Sequence, residues 1–143
     1  MRDCPLPHPA LAGCEAAART HLLVWAMGEP SRLGPALREL LEDPQHTLWF
    51  SVVSLWELVI KAGLGREGFQ VQPSLLRTLL DGGFVELPIE AAHVLAVAQL
   101  PPLHRDPFDR LLLAQAEREG LLLITADALL ARYPGPVRHQ GSF

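Results

Sequence analysis

Strand and helix signals alternate along most of the chain, and this alternation constrains the fold more than any other feature. The clearest strands are TLWFSVV (47–53), which is β-branched and aromatic, and LLLIT (121–125), whose first four residues are all apolar. A continuous apolar run is typical of a parallel strand that is covered on both faces. The alternation therefore predicts a three-layer α/β sandwich in which helices flank a parallel sheet.

Helical segments separate the strands. Apolar spacing together with flanking prolines and glycines predicts helices at 31–43, 54–65, 73–83, 90–100, 106–120 and, as a last short helix, 126–133. FVEL (84–87) is a further short strand, and LLVWAM (22–27) is an apolar segment that Gly28 ends. The residues after 133 are expected to form a tail.

Composition excludes several classes of protein. Of the 143 residues, 49% are hydrophobic and 20% are charged, which excludes intrinsic disorder. No apolar run reaches the roughly 20 residues that span a bilayer, so we expect a cytoplasmic protein without a membrane segment. The net charge of −4 excludes a uniformly basic nucleic-acid coat, but it permits an enzyme that acts on nucleic acid through bound cations. Residues 1–13 contain three prolines and are predicted to form an irregular tail before a single domain at 14–143.

Three carboxylates fall near helix starts. Glu57 and Asp127 each follow one of the two clearest strands, and Asp109 lies in the first turn of the helix at 106–120. Ligands of parallel α/β sheets collect at the carboxyl ends of the strands, so these acids are expected to converge in one cleft. Carboxylate oxygens suit Mg²⁺ or Mn²⁺, and such ions can stabilise a phosphodiester under attack by water. Converging acids should also raise the pKa of at least one of them.

Each acid also has a purely structural interpretation. SLWE (54–57) matches a capping box, DPFD (106–109) matches an N-cap followed by a first-turn acid, and Asp127 would cap the helix that follows it. Spacing alone favours these structural roles for each acid taken singly. Glu57 and Lys61 lie four residues apart, which is typical of a surface ion pair worth a few tenths of a kcal/mol.

Three segments of the chain resemble a known family. SVVSLWELVIKAGLGR (51–66) and LPPLHRDPFDRLLLAQAEREGLLLITADALLARYPGPV (100–137) are similar to PIN-domain toxins of the VapC type, and THLLVWAMGEPSRL (20–33) fits the DTHxLLW segment of that family. The resemblance implies a Mg²⁺- or Mn²⁺-dependent endoribonuclease of a type II toxin–antitoxin pair, which hydrolyses RNA phosphodiesters. It also implies a homodimer that a cognate antitoxin protein silences.

The site of the family is a quartet of acids, of which three positions match here. By this resemblance, Glu57, Asp109 and Asp127 are the catalytic residues and the metal ligands. Thr20 follows the first acid position and Thr125 lies near the fourth, so both are implied as supporting residues.

The first acid position holds Arg19. The family pattern has an apolar strand that ends in Asp immediately before Thr20, whereas this chain has EAAAR (15–19). Ala and Glu favour helices, so the first strand is predicted to be degenerate and its place in the sheet to be covered by a partner. The Arg19 guanidinium either points to solvent or lies among the acids as a bidentate substitute for the metal. The alternative function is thus a catalytically inactive PIN module that binds an antitoxin or RNA.

The coding frame offers an explanation for this segment. The codons GAG-GCT-GCT-GCT-CGN encode EAAAR (15–19), and read one nucleotide later they give Arg-Leu-Leu-Leu and then a residue that can be Asp. We hypothesise that the residues before Thr20 come from a shifted reading frame. Codons that give no Leu-Leu-Leu-Asp in the next frame would exclude this hypothesis.

Overall fold

The computed structural model describes residues 15–65, 70–103 and 105–142. Their strands are β1 (Glu15–Ala18), β2 (Thr47–Ser51), β3 (Val85–Leu87), β4 (Leu122–Thr125) and β5 (Val137–His139). Their α-helices are α1 (Thr20–Gly28), α2 (Pro35–Glu42), α3 (Val52–Gly63), α4 (Leu75–Asp81), α5 (Ala91–Ala96) and α6 (Pro107–Glu119). The strands form one sheet in the order β3-β2-β1-β4-β5, with every neighbouring pair parallel, and helices flank it. The predicted α/β class is confirmed.

Strand β1 lies at the centre of this sheet. It pairs with β2 on one side and with β4 on the other, and its three alanines are buried. The prediction that this strand is degenerate and that a partner covers its place in the sheet is therefore wrong. Alanine has a poor strand propensity, but two neighbouring strands supply a complete hydrogen-bonding ladder in a covered position. Strand propensity depends strongly on such context, which here outweighs the local preference.

The alanines of β1 contribute to two cores, because successive side chains of a strand point to opposite faces of the sheet. Ala16 and Ala18 pack into a core whose bulk comes from larger side chains such as Leu22, Leu37, Phe50 and Ile124. Ala17 packs into the opposite core, with Val53, Leu113, Leu123 and Leu130. Two-sided burial fixes the register of β1, since a slip by one residue would exchange the two faces.

Helix α3 begins earlier than predicted. Its first residue is Val52, and the Ser51 hydroxyl accepts a hydrogen bond from the Val53 amide at 3.0 Å as the N-cap. The capping box predicted at 54–57 is therefore wrong, and Glu57 lies in the second turn. There it shares the buried face of the helix with Val53, Ser54 and Leu58.

The end of the chain also differs from the prediction. The helix predicted at 126–133 is only a 3₁₀ turn at Leu130–Arg132, and the expected tail contains β5. β5 pairs with the open edge of β4. Its three residues are too few to predict a strand from their own pattern. The helix predicted at 90–100 ends at Ala96 and continues as a 3₁₀ segment, Val97–Gln99.

The described part of the chain contains no helix with the length and apolar character that a membrane crossing needs. The irregular tail predicted at 1–13 lies outside the described residues.

Candidate functional site

A buried polar cluster lies where the central strands end. Arg19 and Thr20 follow β1 directly, Ser54 and Glu57 come from α3 after β2, and Asp109 comes from the first turn of α6. All five residues are buried, with at most 6% of their surface exposed. Helices cover both faces of the sheet, so the ends of the central strands lie in the interior. The side chains of Arg19, Glu57 and Asp109 are therefore shielded from water.

Arg19 and Asp109 form a two-point ion pair in this cluster. Arg19 Nε donates to Asp109 Oδ1 at 2.6 Å and Nη2 donates to Oδ2 at 3.0 Å, while Nη1 contacts Nδ1 of His21. The Arg19 amide also donates to the Ile124 carbonyl of β4, which fixes the backbone at this point. Of the two orientations predicted for this guanidinium, the structure has the bidentate one, with Asp109 as its partner.

Burial and pairing act on both charges. Burial raises the pKa of Asp109 above its ordinary value, and the hydrogen bonds and charge of Arg19 oppose that rise without cancelling it. Burial lowers the pKa of Arg19, but its contacts with Asp109 outweigh this and leave the pKa raised. Repulsion by Asp106 and Glu57 raises the pKa of Asp109 further, as a smaller influence. The predicted rise in the pKa of one acid is thus present, with burial rather than like charge as its main cause.

Glu57 is held by two different partners. Its Oε1 accepts from Thr20 Oγ1 at 2.6 Å, and Thr20 Oγ1 lies 2.9 Å from Ser54 Oγ. Its Oε2 lies 2.7 Å from Lys61 Nζ. The Glu57 side chain is fully buried and that of Lys61 is 20% exposed, so the surface pair predicted from their spacing is wrong.

Asp127 has a capping role, but it caps a turn and not the helix that was predicted to follow it. Its Oδ1 accepts from the amides of Leu129 at 2.9 Å and Leu130 at 3.4 Å, which caps the turn after β4. Thr125 Oγ1 in turn accepts from the Asp127 amide at 2.9 Å. The two residues therefore stabilise the same turn, and Thr125 is fully buried while Asp127 is partly exposed.

A cavity of about 620 Å³ lies against the cluster. Its lining includes Arg19, Thr20, Lys61 and Asp127 but neither Glu57 nor Asp109, both of which are fully buried. The structure thus brings Glu57 and Asp109 together in the interior, with Asp127 on the wall of the adjoining cavity. Their assignment as catalytic residues stays a prediction.

The donor set, as it is folded, does not fit a divalent cation. Both oxygens of Asp109 face Arg19, and the two oxygens of Glu57 face Thr20 and Lys61. Arg19 places a cation among these oxygens. A dication entering here would displace a guanidinium from a buried carboxylate and then remain close to it, which is electrostatically unfavourable.

A second group of possible ligand atoms, from Glu90, His93 and Glu119, lies away from this cluster and within 4.8 Å of one another. His93 Nδ1 accepts from the Glu90 amide at 3.0 Å, and Nε2 lies 2.8 Å from Glu119 Oε2. With Nδ1 as an acceptor, the neutral ring carries its proton on Nε2. The nitrogen that faces the acids is therefore a donor, so this arrangement caps α5 rather than presenting a ligand to a metal.

Sequence reasoning missed Ser54, which is a member of the cluster, and Lys61, which contacts the cluster through Glu57. Lys61 carried a visible signal, its four-residue spacing from Glu57, but the burial of Glu57 depends on where α3 begins. Ser54 was assigned to a cap that belongs to Ser51. The error in one helix boundary thus explains both omissions.

The family model described as PIN domain matches residues 20–136, so the match begins one residue after Arg19. Among curated proteins, none matches the sequence. Solved structures with a similar fold include VapBC2 from Rickettsia felis bound to a DNA fragment from its promoter, with 16% identity, a TM-score of 0.63 and coverage of 87% of this chain and 98% of that one. DNA-bound VapBC from Salmonella typhimurium has 15% identity and a TM-score of 0.61, over 89% and 98% of the two chains. A toxin–antitoxin complex from Klebsiella pneumoniae has 20% identity and a TM-score of 0.58, over 87% and 97%.

Proposed function

The chain belongs to the PIN domain family, and on that premise we propose that it is the toxin-side component of a type II toxin–antitoxin pair whose acidic site is closed by an internal cation. The two-point pairing of Arg19 with Asp109 carries this proposal. An arginine stands at the position where the family pattern has its first acid, and it occupies both oxygens of the third.

The roles of the family's acids are proposed for a form of this chain from which the internal cation has been removed. In that form Glu57, Asp109 and Asp127 are the candidate catalytic residues and ligands of Mg²⁺ or Mn²⁺, Thr20 and Thr125 support them, and RNA is the substrate. Glu57 and Asp109 already lie in one buried cluster, in which Thr20 donates a hydrogen bond to Glu57. This arrangement favours the assignment.

Electrostatics supports weak metal binding and poor RNA cleavage by the parent chain. Exchanging an aspartate for an arginine changes the local charge by two units, and a unit charge at 4 Å is worth about 4 kcal/mol at an effective dielectric constant of 20. Lys61 adds a second cation at Glu57. A loss of several kcal/mol in metal-dependent stabilisation corresponds to a rate lower by a factor on the order of 10³.

We propose a cognate antitoxin as the protein partner, because structures of similar fold are described as VapBC or toxin–antitoxin complexes. We also propose a homodimer. One apolar surface available for such contacts lies on α3 and its C-cap, where Trp56, Val59, Ile60 and the C-cap residue Leu64 are exposed. Light scattering of the purified chain, alone and with a co-expressed antitoxin, measures both assemblies. A strictly monomeric chain would overturn the homodimer, and a chain that a co-expressed antitoxin leaves unbound would overturn that partnership.

The proposal is tested by RNA cleavage with and without EDTA. Arg19→Asp should gain Mg²⁺-dependent cleavage over the parent, and Asp109→Asn should stay inactive. Arg38→Asp is the matched control, because it makes the same charge change at an exposed position on α2. Recovery should be incomplete, since Lys61 still neutralises Glu57 in this variant.

Two outcomes would contradict the proposal. EDTA-sensitive cleavage by the parent that Asp109→Asn abolishes would mean that the site is open as it stands. Equal inactivity of the parent and Arg19→Asp would instead favour the alternative function, a catalytically inactive PIN module that binds an antitoxin or RNA.

A further inference from the structure

Another cavity, of about 520 Å³, lies at the edge of the sheet where the strands begin. Its wall includes His46, which directly precedes β2, and Phe84, which directly precedes β3. All neighbouring strands are parallel, so this edge is opposite to the one at which Arg19 and Asp109 lie. The cavity shares no lining residue with the one beside the polar cluster, and it is therefore a separate site.

The charged lining of this cavity is acidic. Glu42 and Asp43 lie on its wall, and no lysine or arginine of the described residues does. The wall also includes the last turns of α1 and α2 and the C-cap residue of α4, Gly82. A helix carries partial negative charge at its C-terminal end. The side chains and the helix ends thus both favour a cation and disfavour a phosphate or another anion.

His46 supplies a buried acceptor on the same wall. Its Nε2 lies 3.3 Å from Asp43 Oδ2, which places the proton of the neutral ring on Nε2 and leaves a lone pair on Nδ1. Nδ1 is buried and has no hydrogen-bond partner among the described residues. An unpaired buried acceptor costs free energy. A ligand that brings an N–H donor to this nitrogen therefore gains affinity by pairing it.

Much of the remaining wall is apolar. Met27, Leu41 and Phe84 pack against the core to which Leu48 belongs, and all four residues line the cavity. A methionine side chain is unbranched and adapts to the shape of a ligand. Small-ligand sites are mostly apolar with a few polar groups, and a volume of about 520 Å³ falls in their size range. The wall therefore suits an apolar body that carries one cationic donor.

We propose that this cavity binds a small amphipathic amine. The ammonium group lies against Glu42 and donates to Nδ1 of His46, and the apolar body packs on Met27, Leu41 and Phe84. An ammonium group has three N–H donors and one positive charge, so a single group satisfies both the acidic wall and the unpaired nitrogen. Binding makes and breaks no covalent bond. The inference goes beyond the proposed function, since neither the polar cluster nor RNA takes part in it.

Calorimetric titration of the parent chain with tryptamine tests this inference. Tryptophol and indole-3-propionate are the matched probes, because they keep the indole and replace the ammonium by a hydroxyl and a carboxylate. Tryptamine should bind about tenfold more tightly than tryptophol, as expected for a hydrogen bond that a charged donor strengthens, and the propionate should give no saturable heat. Equal affinity for the three probes would overturn the inference, because the ammonium would then contribute nothing.

Amide chemical shifts locate the bound tryptamine on the chain. The shifts that change should fall mainly at 26–27, 41–48 and 82–84, which lie on or beside the cavity wall. Changes confined to the ends of the strands, around Arg19 and Asp127, would place the ligand in the other cavity and would overturn the inference.

Two variants change the polar wall of the cavity. His46→Phe keeps a ring but removes both nitrogens, and it should bind tryptamine about tenfold more weakly. This variant is expected to fold, because the Asp43 side chain is 44% exposed and water replaces the lost contact. Circular dichroism checks that it does. Glu42→Gln removes one exposed charge and should weaken binding about threefold.

Glu39→Gln is the matched control for the charge change. Glu39 is exposed on α2, as Glu42 is, but it does not line the cavity, so its variant should keep the affinity of the parent. Unchanged binding of tryptamine by both His46→Phe and Glu42→Gln would overturn the inference. Equal weakening by Glu39→Gln and Glu42→Gln would also overturn it, because the effect would then come from net charge and not from the cavity.

A lysine side chain of a protein carries the same ammonium group as a small amine. N-acetyl-lysine methylamide distinguishes these two sources, because it presents that side chain on a peptide backbone. Tryptamine should bind more tightly, since its indole fills the apolar part of the cavity. Tighter binding of the lysine derivative would overturn the assignment to a small amine. Either result leaves the proposed function untouched, because the cavity shares no residue with the polar cluster.

Discussion

Two cation–carboxylate pairs lie at the same end of the sheet, and they differ in their access to water. The Arg19–Asp109 pair joins β1 to α6 across 90 residues of sequence, with side-chain exposures of 7% and 0%. The Lys61–Glu57 pair lies within α3 across four residues, and its lysine is 20% exposed. Lys61 can rotate its ammonium group into solvent, whereas Arg19 is enclosed between the end of a central strand and a helix.

Because of this difference, Lys61 can leave its partner for solvent, whereas Arg19 cannot leave Asp109 without leaving a buried charge unpaired. A buried ion pair adds little net stability, because desolvation offsets the attraction between its charges, but removing one partner leaves an uncompensated charge. The Arg19–Asp109 pair therefore closes the candidate site without being a strong source of stability. Its main effect on stability is the loss of free energy of unfolding expected when either Arg19 or Asp109 is removed alone.

The largest effect is expected from breaking the buried pair. Arg19→Met leaves Asp109 without its cation and should lower the free energy of unfolding by about 3–5 kcal/mol at neutral pH. Urea unfolding followed by circular dichroism measures this difference. Arg19→Met combined with Asp109→Leu is the control, and it should recover most of the loss because both charges are gone. A loss below 1 kcal/mol in the single variant would mean that the pair is open to solvent.

A smaller effect is expected at the Lys61–Glu57 pair, whose lysine is partly exposed. Lys61→Met removes one contact of Glu57 but leaves its hydrogen bond from Thr20, so the loss in the free energy of unfolding should be about 1–2 kcal/mol. The same urea titration compares this variant with Arg19→Met. Equal losses in the two variants would contradict the distinction between the two pairs.

The smallest effect is a dependence of stability on pH. Burial raises the pKa of Asp109 in the folded chain, and Arg19 opposes this rise. The stabilisation of the folded chain by the protonated Asp109 carboxyl is therefore fully present below its ordinary pKa. That contribution is lost as the pH rises through the raised, folded-state pKa. The stability of the parent relative to Asp109→Asn should therefore fall across the acidic range, and urea titrations of both variants at several pH values measure it. A relative stability that instead rises with pH would contradict this direction.

The elements predicted correctly are those with a strong local pattern. β2, β4 and α6 have apolar runs or clear start and stop residues, and each lies close to its predicted range. β1 and β5 were missed because their partners, rather than their own residues, make them strands. The parallel class could be predicted because it depends on the alternation of elements and not on any one boundary.

The site could be predicted in part. The sequence placed Arg19 and the acids at the same end of the sheet and offered bidentate pairing as one hypothesis. It could not choose Asp109 as the partner, because a contact between residues 90 positions apart depends on how α6 packs against α3 and β4. Nor could the sequence predict that Glu57 is buried, because α3 begins two residues earlier than predicted and this shift decides which side chains face inward.

Titration with Mg²⁺, followed by calorimetry, tests the central claim that Arg19 closes the acidic site. The parent chain should give no saturable heat at the concentrations at which Arg19→Asp does, because the guanidinium already occupies Asp109. Asp109→Asn serves as the reference for a site without that carboxylate and should behave like the parent. Saturable Mg²⁺ binding by the parent that is lost in Asp109→Asn would contradict the account, since it would require Asp109 to serve the metal while Arg19 is present.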